Sequence, residues 1–250
     1  MNLIMGIAVN YNWKQLETFV VSLRKYYEND VILFISSTTN QETLEKLKQY
    51  KIKFKVYDMS GIYTIGKIRH FLYKDYLQKH KYDKVLLTDV QDVLFQKDPF
   101  EFDEGLHFFE EDSKIKLGKC PINSQWIKEA FGENILNKYA DRNFTCSGTV
   151  MGMYEDIVKY LDLMCKYFNK FDSQRVADQA IQNYLIYEKL FNNFTVHKNE
   201  EGLVITVGHM KPDKIIFSED GQVLNKEGIP AIVHQYNRFP QLFTEKWRLK

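Results

Sequence analysis

Residues 1–90 alternate between short apolar segments and amphipathic ones. Apolar side chains recur at helical spacing from Leu16 to Tyr27, over residues 41–50 and over residues 66–79. The apolar segments between these helices have the length of buried strands. They are Leu3–Val9, Val31–Ile35 and Lys84–Thr88. This order predicts an α/β fold with a mostly parallel central sheet and helices on both faces.

The pattern becomes less regular after Pro99. Ile52, Phe54 and Val56 alternate with lysines, which places that strand near an exposed edge. The remaining predicted elements are a strand at 106–109, helices at 126–139, 155–168 and 176–188, and short tail strands at 203–207, 215–217 and 232–233. Because no linker or repeat interrupts the chain, we expect a single domain over residues 1–250.

The composition excludes several classes of protein. The 34 Lys and Arg residues balance the 33 Asp and Glu residues, so no basic field attracts nucleic acid. Three cysteines are too few for a disulfide framework. No signal-peptide pattern and no apolar run long enough for a transmembrane segment occur. These features favour a cytoplasmic protein, and they do not predict its oligomeric state.

The most informative stretch follows the strand Lys84–Thr88, which runs directly into Asp89 and Asp92. Ligands of open parallel sheets bind at the carboxyl ends of the strands. Carboxylates at this spacing can hold Mn²⁺ or Mg²⁺, which in turn binds a diphosphate. On spacing alone, a strand-ending Asp89 and a turn-capping Asp92 explain the pattern equally well.

The segment Thr88-Asp89-Val90-Gln91-Asp92-Val93, continued by Asp98-Pro99-Phe100, resembles the acidic metal motif of GT-A glycosyltransferases. The resemblance implies a Rossmann-like GT-A fold with a small antiparallel C-terminal portion. Residues 1–100 would bind the nucleotide and residues 101–250 the acceptor. Asp89, Val90 and Gln91 would contact the nucleotide-sugar, and Asp89 and Asp92 the metal. Because the usual Asp-x-Asp spacing is broken, the division of roles among these residues stays open.

Two further stretches resemble the same family. In the helix that opens at Gly66, the resemblance implies that Arg69 contacts the nucleotide diphosphate; a surface arginine is the alternative. In the strand Thr145–Gly152, it implies that Ser147 and Gly148 face the donor sugar. Tight packing of a glycine-containing strand is the alternative there.

The helix that opens with Asp178-Gln179 resembles the family's Asp-Gln-x-x-x-Asn helix, which implies catalytic roles for both residues. Asp178 is the first candidate for a general base if the reaction inverts the anomeric configuration. If the configuration is retained, both side chains would orient the sugar. The alternative is that Asp178 is an exposed acid in the first turn, favoured by the helix dipole.

The chain's two ends complete the resemblance. Near the C-terminus, His234 matches a histidine that completes the metal shell, and Arg238 would contact the diphosphate or the acceptor. A lone histidine is more often structural. After the first strand, Ala8, Asn10 and Tyr11 would hold the nucleotide base, with Tyr11 stacked on uracil, although these residue types are also ordinary in loops.

The resemblance therefore implies a metal-dependent glycosyltransferase of the hexosyltransferase type, with a UDP-sugar donor and a glycan or other hydroxyl acceptor. Two alternatives remain. One is a non-catalytic module that binds sugar or nucleotide on the same fold. The other is a nucleotidyltransferase, which the absence of glycine from the loop Asn10–Lys14 argues against.

Overall fold

The computed structural model of the protein describes residues 1–58, 64–171 and 176–247. The strands are β1 (Leu3–Ala8), β2 (Asp30–Ser36), β3 (Lys53–Tyr57), β4 (Lys84–Thr88), β5 (Val93–Phe95), β6 (Leu106–Glu110), β7 (Thr145–Met153), β8 (Phe194–His197), β9 (Val204–Thr206), β10 (Ile216–Phe217), β11 (Val223–Leu224) and β12 (Ile232–His234). The helices are α1 (Trp13–Arg24), α2 (Gln41–Gln49), α3 (Ile65–Leu77), α4 (Pro121–Phe131), α5 (Glu133–Tyr139), α6 (Tyr154–Phe168), α7 (Asp178–Tyr187) and α8 (Pro240–Lys246).

A seven-stranded sheet in the order β3-β2-β1-β4-β7-β6-β8 forms the centre of the fold. The strands β1 to β4 are parallel to one another, as the alternating sequence pattern predicts. Successive residues of β1 point to opposite faces of the sheet. Leu3 and Met5 pack with α3 and α6, whereas Ile4 and Ala8 pack with α1. The prediction of a mostly parallel sheet with helices on both faces is confirmed.

Strand β7 runs antiparallel to both of its neighbours, β4 and β6. Its first residues therefore lie at the edge of the sheet where β4 ends, and Thr88 is paired with Thr149. The pairing with β6 shifts register, because Phe108 is opposite Val150 but Phe109 is opposite Cys146. Residues 147–149 thus form a bulge, a feature that redirects side chains at the edge of a sheet.

The C-terminal part forms two small sheets. One is antiparallel, β10-β11, and the other has the order β5-β12-β9. In the second, β12 is antiparallel to β5 and parallel to β9, so it ties the tail to the segment that follows the acidic residues. Gln96 strengthens this connection, because its side chain hydrogen-bonds the backbone of Val223 and the carbonyl of Pro230.

Several predicted boundaries need correction. The helix predicted at 126–139 is two helices, α4 and α5, separated by Gly132 with a φ of 86°. Helix α1 ends at Arg24, although Tyr27 beyond it is still buried. Strand β3 lies at the sheet edge, as predicted. In the residues that the structure describes, no helix combines the length and apolarity needed to cross a membrane.

Candidate functional site

The order of the central sheet reverses between β1 and β4, which are neighbours although β2 and β3 separate them in sequence. Ligands of open α/β sheets bind in the crevice at such a switch point, beyond the carboxyl ends of the strands. Residues 9–12 follow β1 and Asp89–Asp92 follow β4, so both segments lie at the switch point. Tyr11 is near the acids, since burial and then the charges of Asp89 and Asp92 raise the pKa of its hydroxyl.

Asp89, Asp92 and His234 meet at this point. The His234 Nε2 atom lies 3.5 Å from Asp89 Oδ2 and 3.6 Å from Asp92 Oδ1. One donor atom from each of the three side chains lies within 4.8 Å of the others. Across residues 1–58, 64–171 and 176–247, no other group of three or more His, Cys, Asp and Glu side chains is this close.

Strand pairing explains why a residue so distant in sequence reaches the acids. Strand β5 begins at Val93, directly after Asp92, and β12 pairs with it so that His234 is opposite Val93. Asp89 is fixed on the other side, because its N–H donates to the Gly148 carbonyl oxygen at 2.8 Å. The cluster is therefore built into the backbone of two sheets.

The His234 ring is oriented as a metal ligand requires. Its Nδ1 atom lies 3.7 Å from the Cys146 sulfur, which leaves Nε2 facing the carboxylates. The residue is 1% exposed, and Nε2 has no hydrogen-bond partner. The two carboxylates are ion-pair partners only while the ring is protonated, so a neutral ring leaves this buried nitrogen without a partner, which is costly. Two carboxylates and an imidazole nitrogen are a set of ligands that can hold a divalent metal ion.

The charges of Asp89, Asp92 and His234 influence one another. Burial opposes ionisation of Asp89, but the Arg69 guanidinium and His234 lower its pKa to about 2. Burial raises the pKa of Asp92, and His234 offsets this only in part. Burial also disfavours a charged His234 ring, yet Cys146, Asp92 and Asp89 together raise its pKa well above the usual value. The two carboxylates thus favour positive charge at this point, whether on the His234 ring or on a bound cation.

Gly148 makes this approach possible. A Cβ at this position would collide with the His234 ring and would lie 2.5 Å from Asp89 Oδ2. The close neighbours of Gly148 are thus two of the candidate metal ligands. Tight packing is therefore sufficient to explain the glycine, and its contact with the donor sugar stays a prediction.

Arg69 is buried beneath the cluster, which rules out the alternative of a surface arginine. Its Nη1 lies 2.5 Å from Asp89 Oδ1, and its Nη2 lies 2.5 Å from Asp178 Oδ2. Nη2 also donates to the Ser147 carbonyl oxygen at 2.9 Å. With 9% of its side chain exposed, Arg69 holds Asp89 in place from inside the protein. Its predicted contact with a diphosphate remains a prediction.

Asp178 is equally committed to protein partners. Its Oδ1 accepts hydrogen bonds from the Ser147 hydroxyl at 3.1 Å and from the Gln179 N–H at 2.8 Å. Burial opposes its ionisation, but the charge of Arg69 lowers its pKa. Only 13% of the side chain is exposed, so the alternative of an exposed first-turn acid is wrong.

A cavity of about 270 Å³ opens beside the cluster. Asp89, Ser147, Gly148, Gln179 and Arg238, all predicted site residues, line it. Its wall also contains residues to which the sequence analysis gave no role: Glu111, Ile122, Asn123, Trp126, Cys146, Gly208, His209 and Gln235. Of these, Glu111 carries the same signal as Asp89, because it is an acid directly after a buried strand.

The remaining predicted residues differ in their position. Arg238 is close enough to Asp92 to lower its pKa, against the larger effect of burial. Asn10 has a left-handed φ of 59°, and its side-chain oxygen accepts from the Thr38 hydroxyl. Ala8 and Val90 are core residues beneath the crevice. The Gln91 carbonyl accepts from the Tyr236 hydroxyl at 3.4 Å.

Comparison with known proteins adds no relative to this description. The chain matches no known protein-family model, and no curated protein is significantly similar to it. The geometry of the site is therefore the basis on which its function is inferred.

Proposed function

We propose that this chain is a metal-dependent glycosyltransferase of the GT-A type, which transfers a sugar from a nucleoside-diphosphate donor, UDP in the first instance, to a hydroxyl acceptor. The observation that carries the proposal is the unpartnered His234 Nε2, buried against Asp89 and Asp92 at the switch point of the sheet. A cation held there would lie where an α/β sheet binds a nucleotide.

Asp89, Asp92 and His234 are the residues that would hold the metal. When bound, a divalent cation supplies positive charge that stabilises a departing diphosphate. The fit of Mn²⁺ rests on the ligand set, two carboxylates and an imidazole. Arg69 keeps the Asp89 carboxylate in position, and Gly148 leaves room for the His234 ring.

Other residues of the site would bind the two substrates. Tyr11 is beside the acids and offers a ring on which a uracil base can stack. Arg238 lines the cavity and adds a second positive charge for the diphosphate. Trp126 and Ile122 give the cavity an apolar wall suited to the face of an acceptor.

Calorimetric titration of UDP into the protein, with and without Mn²⁺, tests the proposal. We expect UDP binding that depends on Mn²⁺ and is lost in Asp92→Asn. The matched control is Asp162→Asn, on the solvent-facing side of α6, which should bind like the unaltered protein. UDP affinity that is unchanged by Mn²⁺, or by Asp92→Asn, would refute the metal assignment. Binding without turnover of any UDP-sugar would identify a non-catalytic module instead.

A further inference from the structure

Glu111 presents a buried carboxylate to the cavity next to the metal cluster. Glu111 is 5% exposed and lies just beyond the end of β6. Gln235 Nε2 donates to its Oε1 at 3.1 Å, and Gln179 Nε2 donates to its Oε2 at 3.0 Å. His209 Nε2 is farther away, at 3.8 Å from Oε2. A carboxylate has about four acceptor positions, so these two amides leave room for another donor.

The hydrogen-bond partners of Glu111 carry no charge, and His209, 3.8 Å away, carries one only when protonated. Both hydrogen-bond donors are neutral amides, which fix the carboxylate in place without supplying a positive charge. Within the described part of the chain, neither Lys nor Arg forms an ion pair with it. The two amides hold the carboxylate at a fixed place in the cavity wall and leave an acceptor position for a hydroxyl donor.

Asp178 offers the opposite environment. The Arg69 guanidinium occupies its Oδ2, and the Ser147 hydroxyl and the Gln179 N–H occupy its Oδ1. Asp178 is also absent from the cavity wall. A carboxylate bound to a buried cation is a poor acceptor for a substrate proton. These contacts favour a role for Asp178 in positioning Arg69, and its role as a base stays a prediction.

Glu111 and the metal cluster face one space. Glu111 and Asp89 both line the cavity, and Gln235, which donates to Glu111, directly follows His234. The adjacent residues His234 and Gln235 thus connect the metal cluster, where the donor would bind, to Glu111, where the acceptor would bind. Paired carboxylates whose surroundings differ in this way usually have different roles.

We infer that Glu111 is the general base for the acceptor, an inference that rests on the proposed function. The Glu111 carboxylate removes the proton as the O–H bond of the acceptor breaks. The acceptor oxygen forms a bond to the anomeric carbon of the donor sugar. The bond from that carbon to the diphosphate oxygen breaks, and its electron pair leaves with the nucleoside diphosphate. A single displacement of this kind inverts the anomeric configuration.

The test measures release of UDP from UDP-glucose, UDP-galactose and UDP-N-acetylglucosamine by the full chain with Mn²⁺. Water and a panel of p-nitrophenyl glycosides serve as acceptors. Glu111→Gln keeps the shape of the side chain but removes the base, so we expect turnover to fall by about 100-fold or more. Glu111→Asp keeps a carboxylate on a shorter stem and should retain more activity than Glu111→Gln.

Glu110→Gln is the matched control. Glu110 is the adjacent glutamate, is also buried, and bonds Asn143 outside the cavity. We expect the Glu110→Gln variant to release UDP from the donors at the rate of the unaltered protein. Calorimetric titration of UDP in the presence of Mn²⁺ separates the role of Glu111 from the proposed function. The Glu111→Gln variant should bind UDP normally even when it transfers no sugar. If the unaltered protein does not bind UDP, the proposed function is refuted instead.

Proton NMR of the first sugar released gives a second, independent readout. The three donors carry α-linked sugars, so inversion yields the β-anomer first. Release of the α-anomer would overturn the inference, as would Glu111→Gln turnover within a few-fold of the unaltered protein. Normal UDP binding with no turnover of any donor would also overturn it, because a base without a reaction has no role.

Discussion

The imidazole ring of His234 packs against the backbone of Gly148, with no space for a side chain between them. The contact joins the start of β7 to the end of β12, two strands that belong to different sheets. Asp89 lies against the same glycine. One residue without a Cβ thus sets how closely two of the candidate metal ligands approach each other.

Gly148→Ala should weaken Mn²⁺ binding by roughly 10- to 100-fold, the usual effect of disturbing the groups that position metal ligands. The new methyl group would displace the His234 ring or Asp89. Calorimetric titration of Mn²⁺ measures the change. Gly132→Ala is the control, because a Cβ there meets nothing within 4 Å but its φ of 86° is strained. It should lower stability by about 1 kcal/mol and leave the Mn²⁺ affinity unchanged.

The affinity for Mn²⁺ should rise with pH. Burial opposes a charge on His234, but Cys146, Asp92 and Asp89 raise its pKa above the usual value, so the ring is protonated without metal. Metal binding must displace this proton, which makes the affinity increase up to tenfold per pH unit until the raised pKa is passed. Calorimetry in PIPES and in Tris gives the number of protons released. A flat affinity between about pH 6 and pH 8 would show that His234 is not a ligand.

Asp178→Asn should destabilise the protein by about 3 kcal/mol, because it removes one carboxylate from a buried arginine. The side chains of Arg69 and Asp178 are 9% and 13% exposed. Urea denaturation measures the free energy of unfolding of each variant. Asp75→Asn breaks the exposed pair with Lys79 and should leave the free energy of unfolding nearly unchanged. Equal effects of the two substitutions would contradict the structural role of the Arg69–Asp178 pair.

His70 should make the protein less stable as the pH falls from 7 to 5. Burial, and after it the charge of Arg69, lowers the pKa of His70 to about 4, against 6.5 in the unfolded chain. Between these values the unfolded chain binds more protons, so acid favours unfolding, by about 2 kcal/mol over this range. The ring bonds the Gly66 carbonyl at 2.7 Å, which an amide can also do. We therefore expect urea unfolding of His70→Gln to show a pH dependence smaller by that amount, and an unchanged dependence would refute the assignment.

Local pattern predicted the first half of the fold because each element there is specified by its own residues. Strands β1, β2 and β4 are continuous apolar runs, and the lysines of β3 marked it as an edge strand. The second half depends on distant pairing. Strand β8 was missed because it is short and half exposed, and only its pairing with β6 makes it a strand. The break at Gly132 was missed because one glycine is also tolerated inside a helix.

The candidate site, like the fold, could be predicted from the sequence only in part. Asp89 and Asp92 could be singled out because they follow an apolar strand, and His234 because its segment resembles a family motif. The structure brings all three together. Which carboxylate faces the cavity could not be predicted from these patterns. Asp178 sits in a pattern that resembles a family motif but is held by Arg69, whereas Glu111 sits in none and lines the cavity. That difference depends on partners far apart in sequence, which periodicity does not record.

Because β12 pairs with β5, the candidate metal site can be completed only late in the synthesis of the chain. A growing chain leaves the ribosome from its N-terminus, so the strands that carry Asp89 and the Gly148 bulge are exposed for folding well before His234 is synthesised. Until residues 232–234 dock beside Val93, the two aspartates have no imidazole beside them. A nascent or prematurely terminated chain that lacks residues 232–234 would therefore be unable to assemble the full ligand set.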